Sequence, residues 1–192
     1  KIEMSQKWVS KPDSLAYTDC NEILPGLILC DVTAAMNIKL HEYFNVNSVL
    51  SILTDSQLNI HDKYPTFLNN HGISIENGNW MRYDFADANL GQNITNNLNI
   101  GADFIHKHRE DNGWNNEYNT NNNKCYTIVH CWAGASRSPT MMAAYLIKYN
   151  DMTTMDALNF IKEKRKVAHP KQYFVNQLIR YEKNLNKCCT CV

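Results

Sequence analysis

The stretch Tyr126-Thr127-Ile128-Val129-His130-Cys131-Trp132-Ala133-Gly134-Ala135-Ser136-Arg137-Ser138-Pro139 places a thiol, a guanidinium, hydroxyls and a glycine close together. A β-branched run enters a loop holding Gly134, and a helix is expected to begin at its far end. Such a turn lets the backbone amides of Trp132, Ala133, Gly134, Ala135, Ser136 and Arg137 converge on one point, where the helix N-terminus adds positive potential. The nest suits a tetrahedral dianion such as phosphate. Cys131, at its foot, is the candidate nucleophile, because the thiolate is the reactive form and positive surroundings favour it. Arg137 can hold two phosphoryl oxygens in a planar fork, which lysine cannot do. Ser138 could donate a hydrogen bond to the sulfur and ease its departure in a second step. His130 is read as bracing the loop rather than reacting. A plainer reading makes Cys131 a buried apolar filler, a common fate for cysteine. That reading leaves the joint spacing of Cys, Gly, Ser and Arg without a reason.

Several elements must position this loop. Short apolar, β-branched runs predict strands near 27–30, 48–53, 73–76, 80–85 and 126–131. Ile94, Leu98, Ala102 and Ile105 form one helical stripe, and Phe174, Leu178, Tyr181 and Leu185 form another. Thr153 with Asp156 three residues on reads as a capping box before Leu158 and Ile161. A further helix is predicted over about 138–149, with Pro139 tolerated in its first turn. Met141, Met142, Met152 and Met155 recur at roughly helical spacing and are expected in the core. Strands alternating with helices predict an α/β fold: a single domain with a central, mostly parallel sheet of about five strands flanked by helices. The phosphate-binding loop falls between a central strand and a helix.

The chain has 192 residues and a formal net charge of +0, so no overall field favours nucleic acid or an anionic membrane. No run of about 18 apolar residues is present, and a soluble protein without stable membrane insertion is expected. The 7 cysteines are odd in number and show no framework spacing, which suits a reducing compartment, cytoplasmic or nuclear. An asparagine-rich run over 112–123 reads as a surface insertion in a domain spanning 20–186, with an N-terminal extension over 1–19 and a Cys-rich tail over 187–192.

His130-Cys131-x-x-Gly134-x-Ser136-Arg137-Ser138 resembles the signature of dual-specificity protein phosphatases, and Cys-x5-Arg is shared by the wider cysteine-phosphatase superfamily. Glu22-Ile23-Leu24-Pro25-Gly26-Leu27 is similar to the family's opening strand region. Arg165, His169-Pro170, Phe174, Gln177-Leu178 and Tyr181-Glu182 are similar to its closing segment. The resemblance implies hydrolysis of phosphotyrosine and phosphoserine or phosphothreonine in protein substrates through a phosphocysteine, with no cofactor and no metal. The uncharged Trp132, Ala133 and Ala135 differ from the lysine-bearing loops of phosphoinositide-directed members.

The resemblance also implies a general acid on a loop before the cysteine, which protonates the departing oxygen and then activates water. The candidates are Asp84 and Asp87. Alternation places Asp84 at a strand end and Asp87 on the following loop, and counting back from the helix near Asn93 favours Asp87. A turn aspartate without a chemical role remains open for either. The acid must be protonated while Cys131 is a thiolate, so a bell-shaped pH–rate profile with an acidic optimum is expected.

Two other classes stay open: a phosphoprotein-binding relative that holds phosphate without hydrolysing it, and a sulfur-transfer enzyme with a cysteine loop. Cys188-Cys189-Thr190-Cys191-Val192 reads as an inert tail, an imperfect prenylation box or half of a zinc site.

Overall fold

The structure of the protein, a computed structural model, describes residues 15, 18–87, 91–114 and 124–189, the last three as backbone only. Residues 1–14 of the expected extension, 115–123 of the expected insertion and the side chains of Cys188, Cys189 and Cys191 lie outside the described residues. In chain order the elements are β1 (Cys20–Leu24), β2 (Leu27–Cys30), α1 (Val32–Ala35), α2 (Ile38–Phe44) and β3 (Val46–Ile52). These are followed by α3 (Asp55–Ile60), α4 (Tyr64–Asn70), β4 (Trp80–Tyr83), α5 (Thr95–Asp111) and β5 (Tyr126–Cys131). Three helices close the fold: α6 (Arg137–Tyr149), α7 (Thr154–Lys164) and α8 (Gln172–Cys189).

The 5-stranded sheet runs β1-β2-β5-β3-β4, parallel throughout except for the antiparallel β1–β2 pair. Central β5 is buried along its whole length because both faces of the sheet are covered, as parallel strands require. Val129 and Cys131 face one core with α5, α6, α7 and α8, while Tyr126 and Ile128 face the other with α1 to α4. This alternation places the thiol of Cys131 on the α6 side of the sheet. Cys30 pairs in register with His130, and Cys20 with Cys30, on the opposite face from Cys131. Burial pushes the Cys30 thiol well above its ordinary value. The geometry of the sheet therefore withholds both thiols from Cys131.

The α/β architecture follows the sequence expectation, with corrections. Residues 73–76 are not a strand. Ser74 N donates to Asn79 Oδ1 at 2.8 Å, Asn77 N donates to Ser74 Oγ at 3.1 Å, and Gly78 turns at φ +72°. Polar side chains capture the backbone there before a ladder can form. The fifth strand is instead β1, whose irregular register between Glu22 and Leu24 hides its period. Met141 and Met142 are buried, whereas Met155 is 57% exposed on the outer face of α7. Thr153 caps α7 by accepting from Asp156 N. Of the asparagine-rich run, Asn112 to Trp114 is fixed: Trp114 Nε1 donates to the Cys125 carbonyl at 2.5 Å, and its ring lies against Tyr126.

Candidate active site

β5 ends at Cys131 and α6 begins at Arg137, so residues 132–136 form a tight connection between a buried strand and a buried helix. Each carbonyl of this loop has a donor behind it. Val32 N reaches Trp132 O at 3.2 Å, His169 N reaches Ala135 O at 2.6 Å, and Thr140 N reaches Ser136 O at 3.0 Å. Arg165 supplies the remaining two, from Nε to Gly134 O at 2.8 Å and from Nη2 to Ala133 O at 3.4 Å. Carbonyls held outward leave the opposite edge of each peptide, the N–H, facing the concave side. Among the described residues, no amide from Trp132 to Ser136 meets a protein acceptor. The loop is a set of oriented donors at the N-terminus of a 13-residue helix. Gly134 is required twice over: its φ is +62°, and a Cβ there would lie 2.5 Å from Cys30 O and 2.6 Å from Arg165 Nη2.

Cys131 is 2% exposed, and the Ser138 hydroxyl donates to its sulfur at 3.2 Å. Arg137 is 4% exposed, and its Nη1 is tied to Gln57 Oε1 at 2.8 Å and to Phe85 O at 3.3 Å. Its Nε is buried and meets no acceptor among the described residues. A buried guanidinium donor without an acceptor is costly unless an anion fills the place. His130 is fully buried, with Nδ1 against the Cys131 carbonyl at 3.2 Å and Nε2 against Tyr64 Oη at 2.6 Å and Ser51 Oγ at 2.8 Å. Burial pushes its pKa down to about 3, so the ring is neutral. A neutral ring donating from Nδ1 must accept at Nε2. Trp80 Nε1 donates to Ser51 Oγ at 3.0 Å and extends the network to the sheet edge. His130 thus locks the end of β5, and none of these bonds reaches the sulfur.

The two candidate acids are separated by their surroundings. Asp84 is exposed and lies 3.9 Å from Arg82, which binds Asp55 at 2.5 Å. Asp87 follows the Phe85 carbonyl that holds Arg137, and its Oδ2 lies 3.2 Å from Lys171 Nζ. Asp87 Oδ1 is buried and meets no donor among the described residues. Tyr173 stands within electrostatic reach of both Asp87 and Arg137, and its hydroxyl donates to Ala86 O at 3.4 Å. The loop carrying Asp87 therefore borders the anion cradle, whereas Asp84 is drawn away into a surface ion pair. Among the described residues, no cluster of three or more His, Cys, Asp or Glu could hold a metal.

Residues 27–184 match the family described as dual specificity phosphatase, catalytic domain. This chain belongs to that family. Human dual specificity protein phosphatase 14 is 33% identical over 124 residues, covering 62% of this chain and 57% of its own length. MAP kinase phosphatase with leucine-rich repeats protein 3 of Dictyostelium discoideum is 27% identical over 184 residues, which is 96% of this chain and 18% of that protein. This dual specificity phosphatase domain thus spans little more than half the length of the first relative and a small part of the second. The solved structure of the human tyrosine phosphatase-like serine/threonine/tyrosine-interacting protein superposes with TM-score 0.66 at 25% identity, covering 86% of this chain and 97% of its own.

Two residues that shape this phosphatase-family site escaped the sequence reading. Arg165 was legible only as part of a closing segment, yet it spans the loop carbonyls and a bidentate pair with Asp19 at 2.8 Å to each oxygen. Gln57 closes a capping box with Thr54 at the start of α3, a pattern the sequence reading passed over. Its second partner, Arg137, is 80 positions away, and no local pattern announces that. Gln57 is a positioning residue: it occupies Nη1 and leaves the Nε edge of the guanidinium for an anion, without adding negative charge. Gln57→Ala is expected to weaken inorganic phosphate or vanadate binding about tenfold, the scale of one hydrogen bond to a charged group. Gln57→Glu keeps the cap but places a carboxylate on Arg137, and weaker anion binding with an unchanged melting temperature is expected. Normal binding in Gln57→Glu would reduce the residue to its capping role.

Proposed function

We propose that this chain hydrolyses phosphotyrosine and phosphoserine or phosphothreonine in protein substrates through a phosphocysteine intermediate. The observation that carries the reading is the buried Arg137 Nε without an acceptor, at the helix end of a loop whose amides are turned inward and whose cysteine accepts from Ser138. A bound phosphoryl group would accept from those amides and from Arg137 in its fork. The Cys131 thiolate attacks phosphorus as the bond to the leaving oxygen breaks, and Asp87 delivers its proton to that oxygen. In the second step Asp87, now a carboxylate, takes a proton from water as the water oxygen bonds to phosphorus. The S–P bond breaks, its electrons return to Cys131, and the Ser138 hydroxyl stabilises the sulfur. The Lys171 contact fits the carboxylate form that this second step uses. Acceptance of both residue classes rests on family membership. A reducing compartment such as the cytoplasm is supported by the free thiols of Cys30 and Cys131. No helix among the described residues is long and apolar enough to cross a membrane.

The test is metal-independent hydrolysis of phosphotyrosine and phosphothreonine peptides from pH 5 to 8, with chelator present. Wild type is expected to turn over both with a bell-shaped, acid-side profile. Asp87→Asn should lower kcat on phosphotyrosine by about 10²-fold and flatten the alkaline limb, since that limb reports loss of the acid's proton. Binding without turnover by wild type would favour the phosphoprotein-binding alternative. A normal alkaline limb in Asp87→Asn would remove Asp87 from the acid role.

A further inference from the structure

Beside the cradle, α8 and the segment leading into α5 enclose a cleft of about 430 Å³. Its wall is held by Gln177, whose Oε1 accepts from Ile94 N at 2.7 Å and whose Nε2 donates to Gln92 O at 2.9 Å. Both ends of one side chain are therefore committed to joining the segment to the helix, so the cleft is a fixed feature of the packing. Tyr173 forms the end nearest the reaction centre, through its contact with Ala86 O and its reach to Asp87 and Arg137. Asn93, Asn176 and Arg180 continue the lining, and no Asp or Glu among the described residues contributes to it. Elsewhere on the surface Lys107 and Lys148 are ion-paired with Asp111 and Asp103. Arg180 meets no carboxylate among the described residues.

A cleft rich in amides, lined by no acidic residue among the described ones and ending on a guanidinium that meets no carboxylate among them, is matched to an anionic side chain. We propose that this cleft is a specificity subsite, in which Arg180 binds an acidic or second phosphorylated residue of the same peptide whose phosphoester occupies the cradle. This rests on the proposed phosphatase reading and names the substrate class of that site. Tyr173 and Arg180 are seven residues apart on α8, so at a rise of about 1.5 Å per residue they are separated by roughly 10 Å. An extended peptide at about 3.3 Å per residue covers that in three residues, so the anionic residue falls at least three positions from the phosphorylated one.

The experiment compares phosphotyrosine peptides that carry Glu, phosphoserine or Ala at the third or fourth position on either side. Each kcat/KM is divided by the same variant's rate on a small aryl phosphate, which is too short to reach the cleft. Wild type should prefer Glu over Ala roughly two- to fivefold, the range of a partly exposed ion pair, and phosphoserine more strongly. The preference should lie in KM, because the contact is remote from the reacting atoms. It should vanish in Arg180→Ala, persist in Arg180→Lys and shrink at high salt. No preference in wild type, or a preference untouched by Arg180→Ala, would overturn the subsite. If wild type leaves the aryl phosphate intact, the phosphatase reading fails separately. The affinity of Cys131→Ser for the same peptides, compared with that of Cys131→Ser/Arg180→Ala, then decides the subsite alone.

Discussion

Cys131→Ser is expected to lower kcat on a small aryl phosphate by about 10⁴-fold or more while leaving vanadate affinity within a fewfold of wild type. The substitution changes one atom at a site that is 2% exposed, so the volume of the core is nearly kept. What changes is the nucleophile. A thiol can supply a thiolate nucleophile in water, whereas a serine alkoxide is far too basic to form, and no base among the described residues contacts the position. Ser138, which donates to sulfur at 3.2 Å, and His130, whose nitrogens are committed to Tyr64, Ser51 and the Cys131 carbonyl, leave no proton acceptor beside it. Anion binding should survive because the loop amides and Arg137 are untouched. Steady-state kinetics with vanadate inhibition separates the two effects. Residual turnover above about one per cent of wild type would mean that another group carries the chemistry.

Arg165→Met is expected to destabilise the fold by roughly 3 kcal/mol and to reduce kcat/KM by at least about 10²-fold. Arg165 is 1% exposed and reaches Gly134 O, Ala133 O, both oxygens of Asp19 and, at 2.9 Å, Asn21 Oδ1. Methionine fills a similar volume without a donor. Asp19 is half-exposed and water can solvate it, so most of the loss falls on the loop carbonyls, above all the buried bond to Gly134 O. A loop peptide freed from its anchor can rotate, and a rotated peptide presents a carbonyl to the incoming dianion in place of an N–H. Arg165→Lys should recover part of the stability and little of the rate, because an ammonium can satisfy one or two of these partners but not the whole fork. Denaturant unfolding together with aryl phosphate kinetics reads both. A stable variant with normal kcat/KM would show that the loop keeps its shape without the arginine.

The prediction at Gln57 shares this logic, since it concerns a side chain that positions Arg137. The position of such side chains in the chain explains why the sequence read unevenly. Strands β2 and β5 and helices α5 to α8 were legible because burial on both faces of a parallel sheet writes continuous β-branched runs, and a half-buried helix writes a 3.6-residue stripe. Strand β1 showed no period and was marked only by the family resemblance, its register being irregular, and residues 73–76 imitated a strand although Asn77, Gly78 and Asn79 beside them fold the segment into turns. Met155 shares a helical spacing with core methionines, yet faces water because spacing alone does not say which side of α7 meets α6.

The proposed nucleophile and its cradle lie within one short stretch of sequence for a physical reason. A phosphate nest is made by consecutive amides at a strand–helix turn, so Cys131, Gly134, Arg137 and Ser138 must be close in sequence to be close in space. Everything that aims the nest comes from far away and follows no local period. Gln57 leaves the Nε edge of Arg137 unoccupied, Arg165 and Asp19 hold the carbonyls outward, and Lys171 meets Asp87. The proposed preference for Asp87 over Asp84 likewise rests on packing, since one carboxylate is drawn to Arg82 at the surface and the other lies on the loop beside Arg137. Chemistry that depends on neighbours along the chain is inscribed in the sequence; orientation that depends on contacts between distant elements exists only once they have packed.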